Sequence, residues 1–253
     1  MEITFLGSGT GIPSLEKSAP GILIKVGTEP LLFDCGSGTL TRLLSAGIMY
    51  TDLNHVFLTH THSDHTADLI PLIQALHTTP DFQRTRELHL YGPSSFTRFM
   101  GLLSQAYGTW VLTPEFPLSI HELLSDQIST ALFRLRTAPM HHSHAAIGYR
   151  LEDESGAAIV YSGDTGFCQE IIELAHRADI LILECSFTDD HPVAGHLTPT
   201  AAATIAARAG CRRLVLTHLY PPFDKIEMEI RTRCKTIFDS EISIARDFLR
   251  ITI

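Results

Sequence analysis

Apolar residues along this chain fall in short runs, each stopped by a polar or turn-forming residue. Residues 2–6 predict a first strand, and Gly7-Ser8-Gly9-Thr10-Gly11 follows as a tight glycine-rich turn. A phosphate-binding loop would need a Gly-Lys-Ser/Thr ending and a helix directly after it. Neither is present, so the turn reads as part of a pocket rim. Residues 21–26 and 30–34 predict a strand pair that ends in Asp34-Cys35-Gly36-Ser37-Gly38, before a short helix bearing Leu40, Leu43 and Leu44 and closed by Gly47. Leu69, Leu72, Ile73 and Leu76 share one face of a helix that Asp68 can cap, with Pro71 in its first turn where no N–H is missed. Further on, the pattern predicts a strand at 88–91, a helix over 94–106, and strands at 132–138 and 146–152. Between them, residues 107–130 keep no period. Trp110, Pro114, Phe116 and Pro117 predict an irregular segment, either at a pocket mouth or packed as a surface loop. Thr198 caps a helix with Pro199 at its first position and Gly210 at its end. A helix near 224–238 and short strands carrying Ile242, Ile244 and Ile251 complete the chain.

Four apolar runs end on a chemically useful residue: Phe57-Leu58 at His60, Ile159-Val160-Tyr161 at Asp164, Ile180–Leu183 at Glu184, and Leu214-Val215-Leu216 at His218. Buried strands that deliver their last residues to a common rim are where αβ folds place sites. The first run leads into His60-Thr61-His62-Ser63-Asp64-His65, three imidazoles and a carboxylate, all types that bind divalent zinc. In an extended segment His60 and His62 point the same way and can share one metal, while Asp64 and His65 turn toward a second. Asp34, at the end of a buried run, needs partners and reads as a residue that orients the histidine loop without ligating.

Composition changes this picture little. The chain has 253 residues, enough for one αβ domain spanning 1–253, and is 44% hydrophobic and 19% charged. With no long apolar span and no leader pattern before the first strand, the expected location is the cytoplasm. Five scattered cysteines without a Cys-x-x-Cys pair read as reduced thiols. A net charge of −9 disfavours a general nucleic-acid binder.

The His-x-His-x-Asp-His motif at 60–65 resembles that of the metallo-β-lactamase superfamily. His142, six residues before Gly148-Tyr149-Arg150, and Asp164, in Ser162-Gly163-Asp164-Thr165, extend the resemblance to the ribonuclease Z-like branch. So does His218, in Leu216-Thr217-His218. The resemblance implies a four-layer α/β fold, an αβ/βα sandwich of two mixed sheets. It also implies two metal sites, His60, His62, His142 and Asp164 at one and Asp64, His65, Asp164 and His218 at the other, with His141 and His144 as rivals for the place of His142. Zinc suits these ligands, with manganese or iron as lesser options. Two ions ~3.5–4 Å apart would share a water and lower its pKa toward ~7. Beside the metal-binding Asp64, the catalytic residues implied are His196, in Gly195-His196-Leu197-Thr198, as general acid and Glu184 as the carboxylate that orients it. Two departures narrow the branch. Only twelve residues separate Arg150 from Gly163, so the long tRNA-gripping arm is absent, and the cysteine-rich zinc site of the branch's cyclic-phosphate phosphodiesterases is absent as well. The reading is therefore a dinuclear zinc hydrolase that uses a metal-bridging hydroxide on a small or flexible phosphodiester. The alternatives are a lactone, thioester or β-lactam hydrolase, a tRNA 3′-processing endonuclease, and a metal-bound sensor without turnover. Nucleic acid is a less favoured partner, no membrane partner is expected, and a homodimer presenting Arg208, Arg212 and Arg213 is left open.

Overall fold

The computed structural model describes residues 1–142 and 145–253. Strands β1 (Glu2–Gly7), β2 (Gly21–Val26), β3 (Glu29–Phe33), β4 (His55–Phe57), β5 (Leu88–Pro93) and β6 (Leu118–Leu123) build one sheet. Strands β7 (Gln127–Ser129), β8 (Phe133–Pro139), β9 (Ile147–Asp153), β10 (Ala158–Tyr161), β11 (Ile180–Glu184), β12 (Arg213–Thr217) and β13 (Glu241–Ile244) build the second, and β14 (Arg250–Thr252) returns to the first beside β1. Both sheets are mixed. In the first, β1–β3 and β14 pair antiparallel and β3–β6 parallel. In the second, β7–β10 pair antiparallel and β10–β13 parallel.

Alternation along the strands sorts the core into three layers. Phe5, Phe33, Phe57, Tyr149 and Ile182 meet between the sheets. On the outer face of the first sheet, Leu32, Val56 and Leu90 pack against helices α1 (Thr39–Ser45), α3 (Leu69–Thr78) and α4 (Phe96–Tyr107). Leu181, Leu183 and Leu214 do the same against α5 (Gln169–Leu174), α6 (Pro199–Ala209) and α7 (Glu227–Lys235). This is the expected αβ/βα sandwich. The central parallel strands are covered on both faces, which is why they read as unbroken apolar runs.

The helix signals hold in α6, where the Thr198 side chain accepts from Ala201 N and Gly210 ends the helix at φ +64°. Elsewhere three details differ from the sequence reading. The Asp68 carbonyl accepts from Leu72 N in the first turn of α3, but its carboxylate makes no cap there and instead accepts from Leu40 N at 3.0 Å. The last helix divides into a tight turn at Phe223–Ile226 followed by α7. Residues 107–130 are more regular than expected, since they contain β6 and β7, while Val111, Phe116 and Trp110 pack into the helix-side core instead of forming a pocket mouth. Both strands lie at sheet edges with exposed or half-buried polar residues, so no buried run announced them. Between Arg150 and Gly163, β9 and β10 are joined by a four-residue turn at 154–157, and no arm projects there.

Candidate active site

The predicted metal-site residues and Glu184 lie at strand ends or in the loops just beyond them, at one edge of the sandwich, and His196 joins them from the loop that precedes α6. β4 leads to His60 and His62, and a single helical turn, α2 (Ser63–Thr66), carries Asp64 and His65. His142 lies in the β8–β9 connection, Asp164 follows β10, Glu184 ends β11 and His218 follows β12. The loops pack closely enough to demand glycine. A Cβ on Gly163, at φ +60°, would lie 2.5 Å from Thr59 Cβ, and one on Gly36 would lie 2.1 Å from the Asp64 carbonyl oxygen. Asp34 and His218 take left-handed backbone, φ 57° and 59°, conformations that persist in non-glycine residues only where surrounding bonds hold them.

Those bonds are present. The fully buried Asp34 carboxylate accepts from Thr59 N (2.8 Å), Thr59 Oγ1, the Tyr161 hydroxyl (2.7 Å) and His65 Nδ1 (2.7 Å). It thereby fixes His65 with Nε2 toward Asp164, the orienting role read from the sequence. His142 is oriented by its Nδ1–H donating to the Gly195 carbonyl at 2.9 Å, and His218 by Nδ1 lying 3.1 Å from Ser186 Oγ.

The side chains form two groups around one carboxylate. His60 Nε2, His62 Nδ1 and His142 Nε2 converge, at 2.9 Å between the first two and 3.3 Å between the last two, and Asp164 Oδ2 faces His60 and His142 at 3.9 and 3.7 Å. On the other side Asp164 Oδ1 faces His65 and His218 at 3.4 and 3.6 Å, and Asp64 Oδ2 lies 3.7 and 3.4 Å from the same two nitrogens. Asp164 thus turns one oxygen to each group. His65 Nε2 and Asp164 Oδ1 are buried and have no hydrogen-bond partner among the described residues, a costly state for polar atoms unless a cation lies between them. Three imidazole nitrogens aimed at one point also cannot all satisfy one another. The donor set therefore fits divalent cations at both positions. Electrostatics differ between the two groups: burial opposes charge on His65, yet the charges of Asp34 and Asp164 raise its pKa well above the ordinary value. Burial opposes charge on Asp64, yet the hydrogen bond and charge from His218 and the charge of His65 hold its pKa down to about 2. Burial, with the like charge of His65, pushes His60 well below its ordinary value, leaving a neutral imidazole. His141 is exposed and outside both groups, and His144 lies outside the described residues.

A third group adjoins the second. Glu184, almost fully buried, accepts from Thr165 N and His196 Nδ1 with one oxygen, at 3.0 and 2.7 Å, and from Ser186 N and Leu197 N with the other. A carboxylate oxygen of Glu184, a ring nitrogen of His196 and a carboxylate oxygen of Asp164 all lie within 4.8 Å of one another. Burial lowers the His196 pKa, but the Glu184 hydrogen bond and charge outweigh it, and the net shift is upward.

Sequence reading missed the support behind His218. Asp247 accepts from Ser8 N, Ser8 Oγ and Ser18 N, and binds the Arg42 guanidinium. Ser8 in turn accepts from His218 N through its carbonyl at 3.2 Å. No local motif marks Asp247, since its partners lie up to 239 residues away. Tyr161 was closer to legible, as a hydroxyl-bearing residue inside an apolar run.

A two-sheet αβ/βα sandwich with a His/Asp cluster at its strand ends defines a metallo-hydrolase type of architecture, and comparison with known proteins makes it specific. The model of the β-lactamase superfamily domain matches residues 30–219. The chain belongs to the metallo-β-lactamase superfamily, in its ribonuclease Z-like branch. An uncharacterised protein of Mycobacterium tuberculosis is 34% identical over 96% of this chain and 88% of its own length. Ribonuclease Z of Myxococcus xanthus is 29% identical over 98% of this chain and 96% of its own. Among solved structures, the metallo-β-lactamase fold protein YhfI of Bacillus subtilis superposes with a TM-score of 0.85 at 28% identity, covering 99% of this chain and 98% of that one.

Proposed function

We propose that this protein is a dinuclear metal-dependent phosphodiesterase, with zinc as the metal. His60, His62, His142 and Asp164 would hold one ion, and Asp64, His65, Asp164 and His218 the other. When bound, the ions supply Lewis acidity and an activated water for displacement at phosphorus.

The observation that carries the proposal is the Glu184–His196 pair beside Asp164. An alkoxide leaving group needs a proton as the P–O bond breaks. With Nδ1 committed to Glu184, His196 has only Nε2 to offer, and its raised pKa keeps the proton in place until it is needed. Opening a thioester, whose thiolate departs without a proton, makes less demand on a dedicated acid. A ribonucleolytic reading of the same residues draws support from the likeness to ribonuclease Z. The short β9–β10 turn and the net charge of −9 favour a small or flexible diester.

The test is the leaving-group dependence of His196→Ala. The variant is expected to keep its metal by elemental analysis and to lose about 10²–10⁴-fold in turnover on an alkyl diester. On a p-nitrophenyl diester, whose leaving group needs little protonation, the loss should be much smaller. Equal losses on both would remove the acid role.

A further inference from the structure

Three histidines of the first sheet take no part in the chemistry above. His55, His89 and His121 share one face of β4, β5 and β6, and β4 reaches the His/Asp cluster only at its opposite end. Two of these imidazoles are stacked on a ring of the adjacent strand, His89 on His55 at 5.1 Å and His121 on Tyr91 at 4.6 Å, so packing holds both in place. Between the two stacks, His89 Nδ1 and His121 Nε2 approach to 3.2 Å. On its other side His89 Nε2 lies 3.6 Å from Glu87 Oε2, and the Ser119 hydroxyl anchors that carboxylate by donating to Oε1. His89 and His121 are half-buried and Glu87 is exposed, so an ion from solution can reach the pair.

A carboxylate that takes the proton of one ring nitrogen leaves the other nitrogen as a lone pair, the pattern that orients metal-binding histidines. Burial, and then the like charge of His89, hold the His121 pKa below its ordinary value, which keeps that ring a neutral donor. With metal–nitrogen bonds of about 2.0–2.1 Å, two nitrogens 3.2 Å apart subtend about 100° at a shared ion, close to the tetrahedral angle. We infer that His89 Nδ1 and His121 Nε2 form a remote metal site for a divalent ion of the zinc, nickel or copper class, with Glu87 orienting His89 and water completing the coordination. β6 is the edge strand of its sheet, so an ion held there also clamps that edge to β5.

The experiment is equilibrium dialysis of the full chain against zinc ion, with bound metal counted by elemental analysis. Wild type is expected to hold one equivalent more than His89→Ala or His121→Ala. His55→Phe, which removes an imidazole of the ladder but no ligand, should hold as much as wild type. Glu87→Gln should bind the additional ion about 10–100-fold more weakly. All of these proteins share an intact His/Asp cluster, so the difference between them stands apart from how many ions that cluster holds and from what it hydrolyses. Equal metal content in wild type and both alanine variants would overturn the site, as would loss from only one of the two. Because alanine in an edge strand can loosen the fold, wild type alone supplies a second measurement. In long-range ¹H–¹⁵N spectra of the imidazoles, titration with zinc should shift His89 Nδ1 and His121 Nε2 after the cluster has filled. Signals of those two nitrogens that stay in place at saturating zinc would overturn the proposal equally.

Discussion

Asp164 is the residue on which the two halves of the site depend. Each of its oxygens faces a different group of imidazoles, so in the proposed ligand scheme its removal takes a carboxylate oxygen from both positions at once, leaving only Asp64 as an anion at the second. Asp164→Ala is expected to lose most of both equivalents of metal by elemental analysis, and full retention would refute the bridging role. Asp34 acts one step back. It never faces a cation position, but it fixes the His65 ring and the Thr59 backbone. Asp34→Ala is expected to weaken metal binding by about 10–100-fold in competition with a chelator, the usual effect of removing a group that orients a ligand. A retained affinity would show that packing alone holds His65 in place. At this scale the sequence was informative wherever a residue type is itself the chemistry, as with His60, His62, Asp64 and His65. It was silent on Asp247 and Ser186, whose roles come only from what folding brings to them.

The strands act as delivery devices with two ends. At the site end, apolar runs that stop on His60, Asp164, Glu184 and His218 were legible, because a strand buried on both faces must be apolar until it leaves the sheet. The edge strands β6 and β7 gave no such signal. The other end of β4–β6 holds a ladder of histidines. His55 stacks on His89 at 5.1 Å, and His89 Nδ1 lies 3.2 Å from His121 Nε2, with Tyr91 and Phe133 against the same rings. Burial, and then the like charge of His89, lower the His55 pKa to about 4 from an ordinary 6.5. The folded protein therefore keeps His55 neutral in a range where the unfolded chain protonates it, so the unfolded state binds more protons and stability falls as pH drops from about 6.5 toward 4. Allowing for the partial exposure of the ring, wild type should lose ~1–2 kcal/mol more than His55→Phe between pH 7 and pH 5 in urea unfolding. Parallel losses in the two proteins would place the acid sensitivity elsewhere.

At the scale of the whole molecule, charge and reach bear on the substrate of the proposed phosphodiesterase. A folded polyanion is held by many phosphate contacts, and a chain of net charge −9 offers little long-range attraction for one. In competition kinetics, small diesters are expected to outrun precursor tRNA in kcat/KM, and a higher value for 3′ cleavage of precursor tRNA than for every small diester tried would reverse that conclusion. The turn between β9 and β10 bears on how such a preference could change. β9 starts beside Thr59, at the site, and runs seven residues to Asp153, so the turn lies roughly 20 Å from the chain's own His/Asp cluster. Its residues are mostly exposed and its bonds are local, from Ser155 and Ala157 to Asp153, so an inserted segment would disturb little else. Loop lengthening adds only about 0.6 kcal/mol per doubling. A module grafted there would hang away from the His/Asp cluster of its own chain. The same chassis can thus acquire a new clientele by insertion at one remote port, with no change to the residues proposed to perform the chemistry.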